Sequence, residues 1–235
     1  MTERWEIETG KYIPRMAALA DHFIAEQRKL ERLPPAPFST PLTLEHRVAV
    51  DLASFAQHGV AAVDQLFDNV RFLWREGRMV GVSGLVRFSV EYWAAIYFGL
   101  RIIRTYLQDN NLEEAARKTS RLTQSGKTPV RLPWDGETVD VAYNVKTFVD
   151  ALAKERSKVS DHYNFLSQAS HPNFLQNTYF MMASKVHDNF SNETFRVYAH
   201  EILDKTVTIL EEAVLGTLMH AGETVRLALP LCPKV

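Results

Sequence analysis

Three groups of side chains in this sequence have the types and spacing to do chemistry. Arg87 and Glu91 are four positions apart, so on a helix they share one face. Both stand among large apolar residues, and each needs a partner if it is buried. The pair reads either as an internal ion pair that fixes helix register or as two walls of a polar site. Tyr163, Ser167 and His171 follow at i, i+4 and i+8 and share a face with a drift of ~40° per step. Each can donate and accept hydrogen bonds. They read either as a polar stripe that satisfies neighbouring helices, with His171 capping a helix that Pro172 ends, or as part of a site facing into a bundle. His171 titrates near neutrality and suits acid–base chemistry. Arg156 precedes His162 by six positions, with Lys154 and Lys158 beside it. On an ideal helix those two residues stand ~120° apart and do not share a face. They read either as a solvated basic face or as a phosphate-stabilising cation and a proton-transfer group.

Other signals are missing. The sequence has no GxGxxG, no GxxxxGK-S/T, no HExxH and no GxSxG, motifs that hold dinucleotides, phosphates, zinc or a serine nucleophile. The histidines are scattered: His187 and His200 lack ligand spacing, and His220 stands alone on the last helix. Cys232 is the single cysteine, which excludes an internal disulfide and any multi-cysteine metal site. No metal and no cofactor is expected. Lys and Arg total 27 against 28 Asp and Glu, a net charge of -1, without the basic excess of a dedicated duplex-DNA binder.

The elements that position these residues are helical. The periodicity predicts a helix over 11–33 with Pro14 in its first turn, then the proline-rich connector 33–42. Thr43 is a candidate N-cap for a helix over 44–76, with Gly59 as a candidate divide and Gly77 as its stop. Residues 79–107, including Phe88, Trp93, Tyr97 and Leu107, are apolar on more than one face, which marks the central helix. Asn111 starts a short helix over 112–124. Residues 123–139 read as a loop or one small hairpin around Asp135-Gly136. Helical spacing returns over 139–155, 157–170 and 174–186, and in a long last helix with Gly222 as its expected end. An apolar tail, 226–235, is expected to pack on the body or on a partner. The fold expected is therefore all-α, a single domain over 1–235, built as an antiparallel helical bundle around 79–107 with one small hairpin near 128–140. Nothing resembles a signal peptide, and no apolar run approaches the ~20 residues of a membrane span. A cytoplasmic protein without a membrane partner, and a homo-oligomer by base rate, is the expectation.

LVRFSVEYWAAIYFGL (85–100) and YNFLSQASHPN (163–173) together resemble the two signatures of DUF5677-like bacterial helical proteins, distant kin of the HEPN superfamily. The resemblance implies that Arg87, Glu91, Tyr163, Ser167 and His171 converge between two central helices. It also implies an RNA-directed protein, in the active relatives a metal-independent ribonuclease of defence or toxin type. Those relatives carry an Arg, then four to six residues, then His. Arg156 and His162 fit that spacing, whereas His171 has Asn164, Phe165 and Leu166 where its arginine would stand. The alternatives are a non-catalytic interaction or regulatory domain bound to a protein partner, or a bundle that binds a small molecule between Trp93, Tyr97 and Tyr163.

Overall fold

The structure, a computed structural model, describes residues 4–33, 42–131, 138–169, 177–178, 181 and 192–232. Its helices are α1 (Arg4–Gly10), α2 (Ile13–Gln27), α3 (Leu44–Arg75), α4 (Met79–Asp109), α5 (Leu112–Thr123), α6 (Val145–Ala153), α7 (Val159–Ala169) and α8 (Glu193–Ala228), with a 3-10 turn at Leu229–Leu231. The fold is an all-α helical bundle. Its one extended feature among the described residues is a two-stranded antiparallel ladder, β1 (Val130–Arg131) against β2 (Thr138–Val139). The Asp135-Gly136 pair lies outside the described residues.

α4 is the axis. It packs against α3, α5, α6, α7 and α8, which is why its apolar residues cover several faces. α3 and α4 form an antiparallel hairpin: Leu73 meets Gly81, Ile96 meets Gly59, and Leu52 meets Gly99. Gly59 does not divide α3. The bare Cα lets Ile96 pack close: an added Cβ would sit 2.6 Å from its Cδ1 and push the end of that side chain aside. α8 lies along α4 in the same direction, with Trp93 against Gly216 and Arg104 bonded to Glu223.

Local signals in the sequence act as expected at several ends. Thr43 accepts from His46 N at 3.2 Å and Asn111 from Glu114 N at 3.1 Å, each satisfying an amide that the first turn leaves unpaired. Gly77 takes φ 68° after α3. Gly222 does not end α8, which continues through buried Val225 and Ala228. The tail then folds back, the 3-10 turn touching α3 and α8 and burying Cys232.

The N-terminal segment starts earlier than the periodicity suggests. α1 carries Glu8 and Thr9 into the body, where the Trp74 indole donates to Thr9 O at 2.9 Å. Arg15 then staples α2 to α8 through Glu211 at 2.6 and 2.5 Å and Asp204 at 2.8 Å. Among the described residues no helix is long and apolar enough to cross a membrane.

Candidate functional site

Arg87, Glu91 and Tyr163 meet. The Arg87 Nε–H donates to Glu91 Oε1 at 3.0 Å, and Nη2 donates to the Tyr163 hydroxyl at 2.9 Å. The guanidinium carbon lies 5.0 Å from the centre of the Tyr163 ring. Two helices hold this arrangement: α4 supplies the i, i+4 pair, and α7 brings the tyrosine across. The side chains of Arg87 and Glu91 are 29% and 16% exposed, so the pair is desolvated enough to be ordered but open on one side. A guanidinium fixed at Nε and Nη2 has a preset plane and presents Nη1 for another acceptor.

The open side is a groove. Its walls are Gly84, Arg87, Phe88 and Glu91 of α4, Tyr163 of α7, Gly126 and Lys127 after α5, and residues 141–145 leading into α6. Phe88 does not belong to the core, as its place on the apolar helix suggested: it is 51% exposed and faces the groove. Leu107 is likewise exposed. The 141–145 wall is pinned at several points. Ala142 N donates to Gly126 O at 2.9 Å, and Arg121 Nε to Val141 O at 2.7 Å. Arg121 also covers the Tyr143 ring at 4.2 Å, and Asn144 caps α6 through Lys146 N at 2.8 Å. Phe88, Lys127, Tyr143 and Asn144 carried no motif. Lys127 comes from a segment without a periodic signal, and Tyr143 and Asn144 from one whose spacing suggested a helix from 139, whereas the helix starts at Val145; only their tertiary placement reveals them.

The other candidates separate. Ser167 is on α7 with its Oγ buried and without a hydrogen-bond partner, one turn beyond Tyr163 and outside the groove wall. His171 lies outside the described residues. Arg156 is an exposed residue of the turn before α7, so it shares no helix with His162. His162 is buried on α7 with Nδ1 3.4 Å from Glu212 Oε2, too poorly aligned to count as a hydrogen bond. Burial lowers its pKa, opposed by the charge of Glu212. Neither residue lines the groove. Trp93 and Tyr97 do not wall a cavity with Tyr163 either; both are buried and pack on His220, with ring centres 6.2 and 5.0 Å away.

His220 does not stand alone. It is 1% exposed, and its Nδ1 accepts from the Trp93 indole at 3.1 Å. That bond leaves the proton on Nε2, which lies 3.9 Å from Glu155. Burial pushes its pKa down to about 4, against the pull of Glu155. The sign of the pH effect follows. Between the unfolded value of about 6.5 and the folded value of about 4 the unfolded chain binds a proton that the folded chain refuses. This contribution to stability is therefore complete above pH ~6.5 and is lost as pH falls towards ~4, by roughly 3 kcal/mol in all. Urea unfolding at a series of pH values checks it. His220→Asn keeps an acceptor for Trp93 and is expected to flatten most of that slope; an unchanged slope would assign it to other groups.

Among the described residues no cluster of three or more His, Cys, Asp or Glu is placed to hold a metal ion. No known protein family, no curated protein and no solved structure matches this chain.

Proposed function

We propose that the chain is an RNA-directed protein that takes a single strand into the groove between α4, α7 and residues 141–145. The observation that carries this is the pairing of an exposed aromatic face with an oriented cation in one groove: Phe88 at 51% exposure, one residue from the Arg87 guanidinium held by Glu91 and Tyr163. Single-stranded RNA is bound in this way, with bases stacked on aromatic side chains and phosphates met by Arg and Lys. Arg87 and Lys127 outnumber Glu91 in the groove wall, so the local charge is positive although the whole chain is near neutral. The resemblance of 85–100 and 163–173 to HEPN-like helical proteins points the same way.

Cleavage is a further step. It needs a proton-transfer group close to the phosphate that Arg87 meets. Arg156 and His162 do not line the groove; the resemblance offers His171, outside the described residues, for that role.

The test is fluorescence anisotropy with a short single-stranded RNA and its duplex. Single-strand binding that weakens as salt rises is expected, with Phe88→Ala costing roughly tenfold, the scale of one stacked base. Absence of binding at low salt would overturn the proposal. The same RNA incubated with EDTA decides catalysis: cleavage lost in His171→Ala identifies a metal-independent ribonuclease, and an intact RNA leaves a binding protein. Arg156→Ala and His162→Ala are expected to bind as the parent does.

A further inference from the structure

The half-buried carboxylates of this fold mostly have cations. Glu91 has Arg87, Glu211 has Arg15, Glu223 has Arg104, and Glu8 has Lys11 and His200. Asp51, on the face of α3 turned to α5, does not. No described cation lies within ion-pair distance of it, and its hydrogen bond comes from a neutral group, the Gln124 amide at 3.0 Å. That bond fixes the amide orientation, because the flipped form would set oxygen against oxygen.

Asp51 lies in the wall of a pocket of about 380 Å³ between α3 and α5. Val48 and Ala116 give the pocket apolar walls, and Ser120 adds a hydroxyl. Thr119, in the same wall, is 1% exposed, and its hydroxyl makes no hydrogen bond. Burial raises the pKa of Asp51 above the ordinary carboxylate value, and the charge of Arg47, which also lines the pocket, opposes that rise. Arg117 at the rim is turned to Glu114, with Nε and Nη2 both 2.9 Å from its oxygens, and stands 3.8 Å from Asp140. Its charge is thereby matched by Glu114 and Asp140, and Glu113 adds an acidic group at the mouth.

We infer that this pocket binds a small primary amine, held as its ammonium ion by the Asp51 carboxylate, with a short apolar chain against Val48 and Ala116. An ammonium group offers three donors and no acceptor. It therefore suits a carboxylate whose one donor is a neutral amide and a hydroxyl that makes no hydrogen bond, and a desolvated carboxylate gains most from a cation. The pocket shares no lining residue with the proposed RNA groove and does not depend on that reading.

The experiment is a thermal-shift and calorimetric titration of the full chain at neutral pH with n-butylamine, with 1-butanol and butyrate as neutral and anionic counterparts. n-Butylamine is expected to raise Tm and to give a saturable heat, and the other two to give neither. Asp51→Asn keeps the acceptor for Gln124 and is expected to weaken n-butylamine binding roughly tenfold or more, the scale of one charge-assisted hydrogen bond. Equal shifts with n-butylamine and 1-butanol would show mere apolar partitioning and overturn the inference. So would an unchanged n-butylamine affinity in a folded Asp51→Asn protein, or no heat with the parent. Thr119→Val, which keeps shape and removes the hydroxyl, is expected to weaken binding by a smaller factor.

Discussion

Arg87→Met is expected to cost RNA affinity tenfold or more and protein stability about 2 kcal/mol. The affinity figure follows from losing a charge-assisted contact to phosphate, a loss of roughly 1.5–3 kcal/mol. The slope of log affinity against log salt should also fall by about one. The stability figure comes from the partners left behind. Glu91 and the Tyr163 hydroxyl lose their shared donor, and breaking a fully buried pair costs roughly 3–5 kcal/mol. Arg87 keeps 29% of its side-chain surface, so water compensates part of that loss. Anisotropy titration and urea unfolding read the two effects separately. A variant that is destabilised yet binds RNA as the parent does would make Arg87–Glu91–Tyr163 a structural staple and remove it from the proposed site. Arg87→Lys sharpens the comparison, because it keeps the charge and loses the fork that engages Glu91 and Tyr163 together.

Gly216→Ala is expected to be the more damaging change to the fold, at roughly 2–4 kcal/mol. The added methyl would fall inside the Trp93 indole, within 2.6 Å of Cζ2. A rigid ring cannot yield as the end of a flexible chain does, so the α4–α8 contact must open. Overpacking of this kind costs roughly 1–3 kcal/mol, and moving the indole also strains its bond to buried His220, worth about 1 kcal/mol more. Urea unfolding measures the loss. Trp93→Phe in the same background is expected to recover part of it, as coupled neighbours do. A near-neutral Gly216→Ala would show that the two helices are not packed this closely.

These two sites differ in how far the sequence exposed them. Arg87 and Glu91 were visible because helical spacing is a local rule: once 79–107 reads as a helix, four positions mean one face. Tyr163 was visible as a polar residue at helical spacing, but its bond to Arg87 joins residues 76 apart, and no local rule reaches that far. His220 was read as solitary because its partners, Trp93, Tyr97 and Glu155, come from α4 and the turn after α6. The six-residue interval from Arg156 to His162 fitted a ribonuclease spacing. Yet Arg156 lies in a turn and His162 points at Glu212 of α8, so the interval does not make a site.

Local chemistry determined the helices, their order and most of their ends. Periodicity, an N-capping Thr43 or Asn111 and a left-handed Gly77 act within a turn or two of backbone, where sequence neighbours are also spatial neighbours. The limits of α3 at Gly59 and of α8 at Gly222 were decided otherwise. A glycine breaks a helix only if nothing compensates, and here the bundle compensates: Ile96 packs against Gly59, and Val225 and Ala228 are buried beyond Gly222. The same holds for function. Sequence named Arg87, Glu91 and Tyr163. Only the tertiary structure turned Phe88 outward, brought Lys127 and Tyr143 beside it, and left Asp51 in the α3–α5 pocket with no described cation within ion-pair distance, because those relations depend on which helix faces meet across the bundle.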